Sequence, residues 1–216
     1  MRVVIYVEGS SDKLAMEALL APLIAEKATE GISIEFFRAK AGDAKKFLLL
    51  TIPVTSVNIL LNNPNIVVVA IPDLYPKNKG FPHETFAELK KGTIDKFHET
   101  LQSRGLGDDP RLTERFQVFC FKYELETLIL AAEAQLKTFL GVNSFKVTWQ
   151  LPVEDQNHDL PPKQVVKRLF ASCGRSYKEA VDAANILRNA SYQDIAVHCP
   201  QCFGPFVEFL SGLANV

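Results

Sequence analysis

The stretch "VVIYVEGSSDKLAMEALLAPLI", residues 3–24, decides how the chain is built. Residues 3–7 form a β-branched and aromatic run suited to a buried strand, and from Asp12 onward Leu14, Ala18, Leu19 and Ile24 fall near helical spacing. Gly9-Ser10-Ser11 then reads as a tight strand-to-helix turn, with Ser10 or Ser11 capping the helix and Asp12 favoured in its first turn by the helix dipole. No such local role accounts for Glu8. It stands at the carboxyl end of a strand expected to be central, where open α/β sheets place their ligands. A carboxylate there is costly unless it is paired or meets a cation.

Working outward, strands are expected at 3–7, 32–37, 66–71 and 116–121, with helices at 12–27, 44–61 and 83–103 between them. This alternation predicts an α/β fold with a mostly parallel sheet flanked by helices. After the fourth strand, "YELETLILAAEAQLKTFLG" reads as one helix closed by Gly141. Residues 142–162 look irregular, and helices are expected at 163–171, 177–187 and 200–213. The expected organisation is an α/β core over 1–141 and a C-terminal helical extension over 142–216, packed together as one structural domain.

With 24 basic and 25 acidic residues the net charge is −1, so the chain carries no overall basic field for holding nucleic acid. Any such contact must be local or supplied by a partner. Four unevenly spaced cysteines and no signal-peptide pattern point to a reduced, cytoplasmic setting. The longest apolar stretch, "FLLLTIPVTSVNILL", is short for a membrane span and is interrupted by Pro53, Ser56 and Asn58. It reads as a buried helix with a break at Pro53, and no membrane association is expected.

Strand three ends in "IVVVAIPDLYPKNKG", which gives Asp73 the place on its strand that Glu8 has on the first. Strand four leads into Tyr123-Glu124-Leu125-Glu126, adding acids at the same sheet edge. Oxygen ligands grouped in this way suit Mg²⁺ or Mn²⁺, which take a few carboxylates together with waters and substrate phosphates. Glu124 and Glu126 also have a plain explanation as first-turn acids at a helix N-terminus. Lys77 and Lys79, in the loop after Asp73, either hold phosphate oxygens or solvate the loop. Lys163, with Lys167 and Arg168, forms one side of a helix that either contacts a nucleic-acid backbone or faces solvent.

An apolar strand ending in Val-Glu-Gly-x-x-Asp, then a helix, then a later strand ending in Asp resembles the Toprim fold of topoisomerases, primases and overcoming-lysogenization-type nucleases. The resemblance extends to one Toprim-like bacterial family of unknown function, found beside ABC-type ATPases in mobile and phage-defence loci. It rests on Asp73-Leu74-Tyr75-Pro76, Glu124-Leu125-Glu126-Thr127-Leu128, Pro162-Lys163 and the closing "IAVHCPQCFGPFVEFL". Tyr75 stands where Toprim domains carry a second Asp. Tyr123 stands where this family has a His, and Glu179, Asp182 and Ala183 replace an expected Lys and His-Gly pair.

The resemblance implies a Toprim-like, Rossmann-like fold and a metal-dependent nuclease or phosphoesterase acting on nucleic acid with an ABC-type ATPase partner. Glu8, Asp73, Glu124 and Glu126 would hold Mg²⁺ or Mn²⁺, and Glu8 and Asp73 would be catalytic. Gly9, Ser10, Lys77, Lys79 and Lys163 would bind phosphate. The alternative is a catalytically degenerate scaffold serving as a regulatory or interaction subunit. A third reading is phosphate binding at the helix N-terminus after Gly9. Cys199-Pro200-Gln201-Cys202 lacks the second ligand pair a structural zinc site needs, and is expected to be a proline-started helix.

Overall fold

The computed structural model describes residues 1–40, 42–107, 109–156 and 160–214. In chain order the elements are β1 (Arg2–Val7), α1 (Ser10–Leu19), α2 (Ala21–Thr29), β2 (Ser33–Arg38), α3 (Ala44–Lys46) and, after a π-helical turn at Phe47–Thr51, α4 (Ile52–Asn62). Next come β3 (Ile66–Ile71), α5 (Phe86–Ser103), α6 (Pro110–Thr113), β4 (Phe116–Val118), α7 (Glu126–Ala131) and α8 (Glu133–Leu140). A 3₁₀ turn at Val153–Asp155 is followed by α9 (Pro162–Ser172), α10 (Glu179–Leu187), α11 (Tyr192–His198) and α12 (Phe203–Ser211).

Contacts group the chain into two compact units. Among the described residues, the first comprises those of 1–9, 24–120 and 214, and the second those of 10–23 and 121–213. By contacts, residues 121–141 and α1 group with the second unit. Helix α7 is the surface on which α9, α10 and α11 pack, and α12 packs on α11; Leu128, Ile129, Leu136, Val165, Leu169, Phe170, Phe206 and Leu210 are all buried.

The first unit contains a four-stranded, wholly parallel sheet in the order β2-β1-β3-β4. This is the mostly parallel α/β architecture that the alternation of strands and helices predicts. β1 is central and buried along most of its length, as its unbroken Val-Val-Ile run requires. Its register sets Val7 opposite Arg38 on one side and Ile71 on the other, so Glu8 and Asp73 leave the sheet at the same level. Beside the sheet, Phe97 of α5 stacks on Phe116 of β4 with centroids 4.5 Å apart.

Several boundaries differ from expectation, each for a local reason. The first helix breaks into α1 and α2 just before Pro22, because proline removes a helical donor and restricts the residue before it. Pro53 causes no break: the wider turn at Phe47–Thr51, closed by the Ile52 amide on the Phe47 carbonyl, carries the helix past it. Helix α5 starts at Phe86 with a Thr85/Glu88 capping box, which leaves His83 in the loop. The helix after strand four divides at Ala132, yet it ends as expected on Gly141 at φ 73°. Strand four stops at Val118, and residues 142–156 are irregular apart from the 3₁₀ turn; residues 157–159 lie outside the described ones.

Among the described residues, Ala44–Asn62 is the one helical run that meets the length and composition of a membrane span. In the first unit it serves as a core helix, with Leu48, Leu49, Ile52, Val57 and Leu60 buried. Its end is tied down by Arg115, whose guanidinium donates to the carbonyls of Leu60, Asn63, Pro64 and Ile66 at 2.9–3.1 Å. These carbonyls lie where a helix stops and the chain turns into β3. A lysine cannot reproduce such a fork. Arg115→Lys is therefore expected to lose roughly 1–3 kcal/mol of stability, read as a lower urea midpoint at unchanged m-value.

Candidate functional site

The end of β1 and the loop after β3 meet through one hydrogen bond: the Asp73 backbone N–H donates to Glu8 Oε1 at 3.0 Å. Both carboxylates are half-buried. The register explains the contact, since Val7 and Ile71 are directly paired and the two acids are the first charged residues beyond that pair.

Lys45 is the residue that sequence reasoning missed. Its side chain is only 1% exposed, and its Nζ donates to the carbonyls of Leu74 at 2.8 Å and Pro76 at 2.5 Å. Burial pulls the ammonium down to about 8, against the opposing pull of the Glu8 and Asp73 carboxylates. The spacing alone does not single it out, since Lys46 has apolar residues at the same intervals; Lys45 shares the face of the buried Leu48, Leu49 and Ile52, three, four and seven residues on. A lysine on that face has to find acceptors inside the protein.

The loop between β3 and α5 is internally tied. Lys77 pairs with Glu84 at 3.1 Å, and Lys79 pairs with Asp43 at 2.9 Å. The two lysines expected to bind phosphate thus already have carboxylate partners. Asp43 is also the N-cap of α3, accepting from the Lys46 amide. His83 is 2% exposed and places Nδ1 2.8 Å from the Phe81 carbonyl, while its amide donates to Asn78 Oδ1 at 2.8 Å. Gly9 is half-buried at the end of β1's unit, and Ser10 is the exposed first residue of α1.

Glu124 and Glu126 belong to the second unit, with a different set of partners. Glu124 Oε2 accepts the Lys163 backbone N–H at 3.0 Å, capping α9. Lys163 Nζ lies 2.5 Å from Glu179 and 3.9 Å from Glu126. Burial alone would depress the Lys163 ammonium, but Glu179, Glu126 and Glu124 outweigh it and hold it above its ordinary value. Glu126 is 1% exposed and accepts a hydrogen bond from the Tyr177 hydroxyl at 3.2 Å. Ser11 donates to Glu179 at 3.2 Å.

Cys199 and Cys202 are buried, and burial pushes the Cys199 thiol well above its ordinary range. The stretch from Cys199 to Cys202 forms a turn before α12 rather than the helix start expected of it. The partner of that turn is Glu154, whose carboxylate accepts the amides of Gln201 at 2.5 Å, Cys202 at 2.8 Å and Phe203 at 3.3 Å. The helix N-terminus thereby receives its anion from within the chain.

Among the described residues, no group of three or more His, Cys, Asp or Glu stands together so as to hold a metal ion. Mg²⁺ needs only one or two protein carboxylates, with waters and substrate phosphates completing the shell. Glu8 and Asp73 offer hard oxygens of that kind beyond two adjacent strand ends, linked through the Asp73 backbone amide.

Burial raises the Glu126 carboxyl from 4.5 to about 7, Lys163 opposing and Glu179 and Glu124 adding to the rise. A folded-state value above the unfolded one means that the stabilising contribution is complete below pH 4.5 and is lost as pH rises through about 7. At about 1.4 kcal/mol per pKa unit the effect is of order a few kcal/mol. Glu126→Gln keeps an acceptor for Tyr177 and is expected to melt above wild type at pH 8, with the gap closing at pH 5. Thermal melts across that range check it.

Among solved structures, the chain is similar to the C-terminal region of the Burkholderia pseudomallei OLD protein: 18% identity, 97% of this chain and 96% of that one covered, TM-score 0.48. It is also similar to the C-terminal region of the Xanthomonas campestris pv. campestris OLD protein, at 17% identity, 97% and 93% coverage, and TM-score 0.41. At these TM-scores the likeness carries no argument, and the fold assignment rests on the sheet itself. No curated protein matches. Residues 7–211, nearly the whole length, match the model of the family described as Domain of unknown function (DUF4276), and the chain belongs to that family.

Proposed function

We propose that the protein is a Toprim-type, metal-dependent phosphoesterase acting on nucleic acid. The observation that carries this reading is the juxtaposition of Glu8 and Asp73 at the ends of paired parallel strands, with the Asp73 amide bonded to Glu8. Glu8 and Asp73 would supply the oxygen ligands for Mg²⁺ or Mn²⁺. When bound there, the ion polarises a phosphodiester and makes a water more acidic. Glu8, whose carboxylate accepts the Asp73 amide, would be the group to accept or pass a proton. Lys77 and Lys79 would have to exchange their carboxylate partners for phosphate oxygens to hold substrate. Glu124, Glu126 and Lys163, tied to one another in the second unit, would serve there as a preformed polar cluster. With a net charge of −1, the chain is suited to receiving its nucleic acid through a partner, for which an ABC-type ATPase is the proposal, in the cytoplasm.

A second reading is favoured by Lys45: a buried ammonium that already balances the two carboxylates is what a scaffold without metal would retain. One experiment separates them. In the phosphoesterase reading, saturating Mn²⁺ at about 100 times its Kd adds roughly 2.7 kcal/mol of stability, seen as a rise in melting temperature of several degrees. Glu8→Gln and Asp73→Asn should abolish that rise together with metal-dependent cleavage of DNA or RNA. A wild-type protein whose melting temperature ignores Mn²⁺ and Mg²⁺, and which cleaves no nucleic acid, would establish the scaffold.

A further inference from the structure

The carboxylate pair depends on a loop that has little regular structure of its own. Between Ile71, where β3 ends, and Phe86, where α5 begins, the chain makes no helix or extended strand. Beyond its internal ties at Lys77–Glu84 and Asn78–His83, this segment is held from the short turn that opens α3. From that turn Lys45 reaches the carbonyls of Leu74 and Pro76, and Asp43 pairs with Lys79. The Lys45 tie brackets Tyr75, falling on the residues just before and just after it, and the Asp43 tie falls further along the loop, on Lys79. A side chain as long as lysine is rarely sent into a core. A methionine would fill the same space at less desolvation cost. What lysine adds is a set of rotatable donors on a compact charge, and two of them are spent on the backbone beyond Asp73.

We propose that Lys45 is a positioning residue: by holding the Leu74 and Pro76 carbonyls, it fixes the loop that sets Asp73 against Glu8. In this role its ammonium acts through those two carbonyls and not on the substrate. Its effect on metal binding rests on the phosphoesterase reading; its effect on the loop does not.

The sign of one measurement separates positioning from charge balance. A cation beside two metal ligands opposes a second cation, so if Lys45 acted only through its charge, Lys45→Met would bind Mn²⁺ more tightly than wild type. Positioning predicts the reverse. Lys45→Met should bind Mn²⁺ at least tenfold more weakly by calorimetric titration, and Lys45→Arg, which keeps donors, should recover part of the loss. In chelator, hydrogen exchange at the amides of residues 73–75 and 77 should quicken at least tenfold in Lys45→Met, while the β1 and β3 amides exchange as in wild type. If Lys45→Met does not fold, Lys45→Gln, with a shorter polar side chain, serves for the same comparison. Unchanged loop exchange, or tighter Mn²⁺ binding, would overturn the proposal. A wild type that binds no Mn²⁺ would overturn the phosphoesterase reading alone, with the exchange experiment still deciding the role of Lys45.

Discussion

The hydrogen bond from the Asp73 amide to the Glu8 carboxylate is the constraint on which the site depends. It joins the end of the central strand to the loop beyond its neighbour, and it can form only because β1 and β3 run parallel in a register that brings Val7 opposite Ile71. A one-residue slip would turn Glu8 to the other side of the sheet. The buried Val-Val-Ile run that fixes the register is therefore also what places the acid.

The charge around this bond is not left to solvent. Lys45 sits inside, Lys79 is paired with Asp43, and Lys77 with Glu84, so that the loop beyond β3 is bounded by cations whose partners lie within the same unit. The second unit repeats the pattern with different residues, where Lys163 holds Glu179 and lies near Glu126 while its amide is accepted by Glu124. Of these groups Lys45 and Glu126 are deeply buried, and polar groups at that depth persist only when nearly all of their bonds are satisfied. Glu154, which takes three amides at the start of α12, shows the same economy at a purely structural position.

The parallel sheet, the place of Glu8 and Asp73 at its carboxyl edge, and the closing glycine at 141 were all legible in the sequence, because hydrophobic period and helix-stop chemistry are local signals. Element boundaries near prolines were less so. Pro22 ends a helix and Pro53 does not, and the difference lies in a π-turn that no short-range pattern announces. Lys45 was hidden for a related reason. Beside Lys46 it looks like a solvated pair at a helix start, and only the burial of Leu48, Leu49 and Ile52 shows which of the two lysines turns inward. The reading of the Cys199–Cys202 stretch as a helix start failed because its true partner, Glu154, is distant in sequence.

The central claim is that Glu8 and Asp73 form a built metal site held in shape by Lys45. Anomalous diffraction from crystals grown in chelator and then soaked in MnCl₂ tests it most directly. The account predicts a manganese peak within coordinating distance of both carboxylates, with Lys45 Nζ still on the carbonyls of Leu74 and Pro76. A map with no peak at the pair, or with manganese only elsewhere in the molecule, would contradict it.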